Sequence, residues 1–230
     1  MTTSPRALAE RTPAMPPGTD LERFAGYGVM GLPFASGHYL ALRHFPTASV
    51  GPGYDSVWHR NPEGDWTFHS NEPPETTCPR YFGSALRTTR TTRVTVTWTG
   101  PAAFTVTVDD TIDWSLVLGS SAATRAMSVA GSVLPAALWR NDRVLALMSR
   151  IAGPLMGVGR VGLTGATPNG QSFRANPSRL WTVEHSRATV DGVDLGPPGP
   201  LPEQARLGDF WLPQRGVFAI GESYFSPVGS

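Results

Sequence analysis

The feature that most constrains this chain is a run of strict two-residue alternation between residues 94 and 118. Val94, Val96 and Trp98 alternate with Thr95, Thr97 and Thr99. After Gly100-Pro101, Phe104, Val106 and Val108 alternate with Thr105 and Thr107. Ile112, Trp114, Leu116 and Leu118 continue the pattern past Asp109-Asp110. Successive side chains of a strand point to opposite faces, so this pattern predicts strands with one apolar face and one wet face. Antiparallel sheets tolerate that asymmetry; parallel ones bury both faces. The apolar face is then covered by closing the sheet on itself or by packing it on a second sheet.

Short strand patterns fill much of the remaining chain. Tyr39 to Phe45 is a mostly apolar run ending at Pro46. Ser56 to Arg60 and Asp65 to His69 flank Asn61-Pro62-Glu63-Gly64, whose residues carry turn chemistry at every position. Pairing Arg60 with Asp65 sets His59 opposite Trp66 and Val57 opposite Phe68. Asn169-Gly170 and Asp191-Gly192 mark two further tight turns, and Gly196 to Pro202 reads as a stiff surface loop. The last strand runs from Val217 to Phe225, with apolar residues on both faces. Gly 25 and Pro 22 in 230 residues supply the many turns that such a chain requires.

Between Ser120 and Gly157 the period changes. Ser120-Ser121 caps a helix reaching about Leu134, which Pro135 ends. Asn141-Asp142 caps a second, in which Val144, Leu147, Met148, Ile151 and Leu155 form an apolar stripe and Gly153-Pro154 is the expected stop. The stripe is expected to be the buried seam. The fold class expected is mainly β: an antiparallel lipocalin-like β-barrel, or a two-sheet sandwich, with an inserted pair of short helices. Residues 1–20 read as a flexible N-terminal arm, and residues 21–230 as one barrel domain with its helical insert at about 120–157.

Composition removes several functions. A formal net charge of +1 offers no broad basic footprint for nucleic acid. All 19 basic residues are arginine, so Schiff-base catalysis and a phosphate-binding P-loop lysine are closed to the chain. The single cysteine, Cys78, reads as an ordinary loop residue and permits no internal disulfide. No window offers about twenty uninterrupted apolar residues, so no transmembrane segment is expected. Residues 1–20 hold no apolar run of signal-peptide length, and the expected location is cytoplasmic. His59, His69 and His185 lack the paired spacing of a metal site, so no metal is expected. Gly157-Val158-Gly159 follows a helix and precedes a strand, the reverse of a dinucleotide fingerprint, and no G-x-S-x-G elbow occurs. No cofactor is expected, and oligomeric state is not legible.

Strand parity selects the candidate site. His59 shares a face with apolar neighbours, His185 with Trp181 and Val183, and Glu222 with Phe218, Ile220 and Tyr224. A polar side chain on an apolar face is either satisfied by hydrogen bonds or functional. If those faces meet, His59, His185 and Glu222 form an acid–base set, with Trp66, Phe68, Trp114, Trp181, Trp211 and Tyr224 lining the ligand cavity. The other reading is that each polar residue is a hydrogen-bonded core or rim residue.

The segment Gly37-His38-Tyr39-Leu40-Ala41-Leu42-Arg43, with Ser56-Val57-Trp58-His59-Arg60 and the hairpin to Trp66, resembles the lipocalin-like families around carotenoid 1,2-hydratase and related cyclases. The likeness rests on strand and tryptophan texture over the middle third. It implies a calycin-type barrel holding an isoprenoid- or polyketide-like substrate, with proton-initiated hydration or cyclisation, and it assigns no catalytic residue. The expected function is that of an intracellular enzyme binding a hydrophobic small molecule and catalysing cofactor-independent cyclisation, hydration or isomerisation. The alternative is a non-catalytic carrier or sensor of the same kind of ligand.

Overall fold

A computed structural model describes residues 4–227 of the chain. Its strands are β1 (Glu22–Val29), β2 (Leu32–Pro33), β3 (Tyr39–Ala48), β4 (Tyr54–Arg60), β5 (Trp66–Ser70), β6 (Thr88–Thr91), β7 (Val94–Trp98), β8 (Ala103–Val108), β9 (Ile112–Gly119), β10 (Thr164–Ala166), β11 (Ser172–Val190), β12 (Val193–Asp194), β13 (Arg206–Leu207), β14 (Phe210–Trp211) and β15 (Val217–Phe225). The α-helices are α1 (Pro5–Ala9), α2 (Pro79–Phe82), α3 (Ala122–Val133), α4 (Ala136–Trp139) and α5 (Asp142–Met156).

One large sheet dominates, with strand order β6-β5-β4-β3-β1-β15-β11-β9-β8-β7. Its pairs are antiparallel except β5 with β6. The sheet curls until β4 packs near β7, giving a mainly β half-barrel. The alternating segment forms β7, β8 and β9 as the period demands. Val106 lies opposite both Val96 and Trp114, and β9 alternates buried and exposed residues along its length.

The inside of the curl is packed. Phe104, Trp114, Trp181 and Phe218 meet Leu40, Leu42 and Val57 there, so Trp114 and Trp181 fill the space they were expected to line. The β3 strand is buried on both faces. Leu40 and Leu42 face the curl, while Tyr39, Ala41 and Phe45 join Trp58, Phe24 and Phe225 in a second core on the other face. That outer core is covered by α2 and by the excursion carrying Leu201, Leu207 and Leu212.

The β4–β5 hairpin is one residue out from its expected register. Arg60 pairs with Trp66, His59 with Thr67, and Trp58 with Phe68. Asn61 is the cause. Its N–H donates to Asp65 O at 3.0 Å, and its side-chain Oδ1 accepts from Asp65 N at 2.8 Å, which draws Asp65 into the turn. A one-residue shift exchanges faces, so Phe68 lies beside Trp58 and away from Val57.

The insert also differs from expectation. It holds three helices, and α5 runs through Gly153-Pro154 to Met156, ending where Gly157 takes φ 64°. Its expected seam is split: Val144 and Met148 are half-buried, with Met148 packed against the cluster of Trp139, Leu145 and Leu163, but Leu147, Ile151 and Leu155 are 57%, 53% and 50% exposed, whereas Leu145 is fully buried. The docked face combines Leu145 with the small residues Ser149, Ala152 and Gly153. A Cβ on Gly153 would sit 2.1 Å from Gly159 O, and Ser149 Oγ accepts from Leu163 N at 2.9 Å, so only this side lets the helix lie against the chain at 158–163. Helix α3 lies on β11 in the same manner. Gly131 approaches Pro177 O, and Ser128 Oγ accepts from Leu180 N at 2.8 Å.

Within the expected N-terminal arm, residues 1–3 lie outside the described residues. Pro5–Ala9 is helical, Arg6 N donates to Pro101 O at 3.1 Å, and Ala9 is buried in the core of the curl.

Candidate functional site

Two cavities flank the strands β1 and β15. The larger, about 490 Å³, lies between the sheet, the segment around Pro13–Pro17 and the α3–α4 region. Its wall includes Tyr27, Trp139, Asn176, Ile220, Glu222 and Tyr224. Strand pairing places Glu222 between Ala25 of β1 and Asn176 of β11. Alternation along β15 turns Glu222 and Tyr224 to the same side as Phe218 and Ile220. Tyr224 donates its hydroxyl to Glu222 Oε2 at 2.6 Å. Burial first, and then the Glu222 carboxylate, raise the Tyr224 phenol well above its ordinary value, so it stays a donor at neutral pH. Beside this pair, the Asn176 Oδ1 is buried without a hydrogen-bond partner.

The smaller cavity, about 120 Å³, lies on the other side of the sheet, roofed by α3 and α5 and by β14. It is mostly apolar, with Met127, Met156, Leu180 and Val217 among its walls, yet Arg43, Cys78 and Glu222 also border it. Arg43 is 4% exposed. Its Nη1 donates to Val29 O and Leu42 O, both at 2.8 Å, and its guanidinium lies 4.8 Å from the Trp58 ring centroid and 5.8 Å from that of Phe210. Cys78 Sγ is 3.0 Å from Tyr54 Oη, and burial pushes the thiol up to about 11, so it is neutral.

The expected acid–base set is not brought together. His59 lies outside both cavities, its Nε2 2.9 Å from His38 Nδ1. His185 sits at a bulge in β11, where the register shifts between Val183 and His185, and its side chain is exposed. Glu222 alone of the three stands at a cavity. Among the expected ligand-binding residues, Tyr224 lines the larger cavity and Trp211 the smaller. Trp66 and Phe68 belong to the outer core, while Trp114 and Trp181 belong to the inner one. Trp114 Nε1 is satisfied by Ser186 Oγ at 2.8 Å.

Arg43, Asn176 and the buried Cys78 were missed as site residues. A signal existed for Arg43: it is the one charged residue in the apolar run Tyr39 to Phe45, in phase with Tyr39, Ala41 and Phe45. Cys78 had none, because Thr77 and Pro79 read as an exposed loop. Among the described residues, no group of three His, Cys, Asp or Glu side chains is placed to hold a metal ion, and no helix is long and apolar enough to cross a membrane.

No family model matches the chain, and no curated protein matches it. Among solved structures, the chain is similar to an acetoacetate decarboxylase from Legionella pneumophila. Identity is 9% and the TM-score 0.34, over 96% of this chain and 92% of that one.

Proposed function

We propose that the larger cavity binds a hydrophobic small molecule and that the protein is an enzyme acting on it by cofactor-independent proton transfer, in the manner of an isomerase, cyclase or hydratase. The observation that carries this reading is the Tyr224–Glu222 pair: a carboxylate held at 2.6 Å by a phenol, on the wall of a largely apolar cavity of about 490 Å³. That volume falls within the range of small-molecule sites, ~300–1,000 Å³.

The roles follow from the chemistry of the two groups. Glu222 is the residue that takes a proton from an activated carbon or returns one to an unsaturated carbon. Tyr224 is a positioning residue, since its hydroxyl faces Glu222 and fixes which carboxylate oxygen is free. Asn176 Oδ1 supplies an acceptor to a hydroxyl or N–H on the bound molecule, which relieves its own burial without a partner. His59 and His185 take no part in this assignment. The likeness to the carotenoid hydratase families agrees with a substrate of isoprenoid or polyketide type.

The test starts from small molecules that co-purify with the full chain, identified by mass spectrometry. The recovered compound is then incubated with protein in D2O. Deuterium incorporation or product formation is expected, and Glu222→Gln should slow it by about 10²-fold or more while the compound remains bound. A compound that binds yet neither exchanges nor reacts would make the protein a carrier and remove the catalytic half of the proposal.

A further inference from the structure

The smaller cavity carries a separate problem: a buried cation with no anion. Arginine remains protonated in proteins, and a buried charge is costly unless it is paired. Arg43 forms no ion pair among the described residues. Its contacts are two carbonyls at 2.8 Å, a third at 3.5 Å from Nη2 to Met30 O, and two aromatic faces. None of these brings a negative charge. The Cys78 thiol and Tyr54 phenol nearby are both held neutral by burial. A second observation points the same way. Trp58, 1% exposed and lining the same cavity, has a buried indole Nε1–H with no acceptor. The one carboxylate on this cavity's wall, Glu222, accepts from Tyr224 and forms no ion pair with Arg43, so around Arg43 and Trp58 donors outnumber acceptors.

We infer that this cavity is a binding site for a compact apolar monocarboxylate, whose carboxylate pairs with Arg43 and accepts from the Trp58 indole. A carboxylate supplies about four lone-pair sites and one negative charge, which matches one guanidinium and one orphan N–H. A dianion such as a phosphate monoester would leave a charge uncompensated among Met127, Met156, Leu180 and Val217. The space, about 120 Å³, is close to the ~150 Å³ of a cavity known to hold benzene, so the apolar body is of about six carbons. The larger cavity opens on the other face of β1 and β15, and the two spaces meet at Gly26, Tyr27, Gly221 and Glu222, which border both.

Calorimetric titration of the full chain at pH 7 with benzoate, benzyl alcohol and toluene tests the assignment. Benzoate should bind at least tenfold more tightly than benzyl alcohol. Trp58→Phe should weaken benzoate several-fold and leave toluene unchanged, and Arg43→Met should abolish the preference for the acid. The comparison of three ligands on the unaltered chain stands even if Arg43→Met does not fold. Benzyl alcohol or toluene binding as tightly as benzoate, or benzoate failing to bind, would overturn the proposal. So would an unchanged acid preference in Trp58→Phe.

Discussion

His38 and His59 lie edge to edge in nearly one plane, with ring centroids 5.2 Å apart, planes 6° from parallel, and Nδ1 of His38 2.9 Å from Nε2 of His59. One nitrogen must donate and the other accept, so the pair cannot take up a second proton without losing that bond. Burial, then His38 and His69, lower the His59 pKa to about 4. Burial, then Arg90, do the same for His69. In the unfolded chain both titrate near 6.5. Between about pH 6.5 and 4 the unfolded state therefore binds more protons, and the stability these groups contribute is lost as pH falls through that window. The slope is at most ~1.4 kcal/mol per pH unit for each histidine, less for the partly exposed His59. Urea midpoints measured from pH 7.5 to 4.5 should fall accordingly, and more gently in His69→Phe. A flat profile would contradict the assignment.

Cys78 should be inert in the folded protein. Raising a thiol from 9 to about 11 lowers its thiolate fraction at pH 8 by about a hundredfold. Alkylation by iodoacetamide should accordingly run about a hundredfold slower than for a free cysteine, and reach the free rate in denaturant. Rapid labelling without denaturant would show that the thiol is neither buried nor hydrogen-bonded to Tyr54.

The two faces of α5 make opposite predictions. Truncating the buried Leu145 to Ala should cost about 2–5 kcal/mol, the range for large-to-small changes in a core. Leu147→Ser and Ile151→Ser, on the exposed side, should each shift stability by about 0.5 kcal/mol or less. Equilibrium unfolding of the three variants decides between this packing and a helix turned with Leu147 inward.

Tyr39 ties β3 to the loop before β15. Its hydroxyl donates to Pro213 O at 2.7 Å while wholly buried, and it occupies the space where a Cβ on Gly31 would stand. Tyr39→Phe should cost about 1–3 kcal/mol by stranding that carbonyl. Gly31→Ala should be the worse of the two, because the added methyl would overlap the phenol. Thermal unfolding that ranks them in the reverse order would mean that the tyrosine can move aside.

Much of the fold was legible. The threonine-backed alternation between Val94 and Leu118 could only become half-buried antiparallel strands, and the parity of Glu222 with Phe218 and Ile220 already placed it beside apolar neighbours. The site was legible only in part. His185 followed the same parity reasoning, but a bulge at Val183 and His185 left it facing solvent. Trp66 and Phe68 were expected on the face of His59 and Val57, but the Asn61 side chain captured Asp65 and lengthened the turn, which puts them on the opposite face and leaves His59 opposite Thr67.

Periodicity in the chain determined which residues share a face and where turns fall, and composition that no lysine or second cysteine is available for chemistry. Tertiary packing decided what covers each face. It buried both sides of β3, filled the middle of the curl with Trp114 and Trp181, and turned α5 so that Gly153 and Ser149 face inward. It also stranded Arg43 without an anion. The physical reason is that a repeat of 2 or 3.6 residues specifies direction relative to the backbone only. Burial depends on which segments distant in sequence can approach closely enough to exclude water.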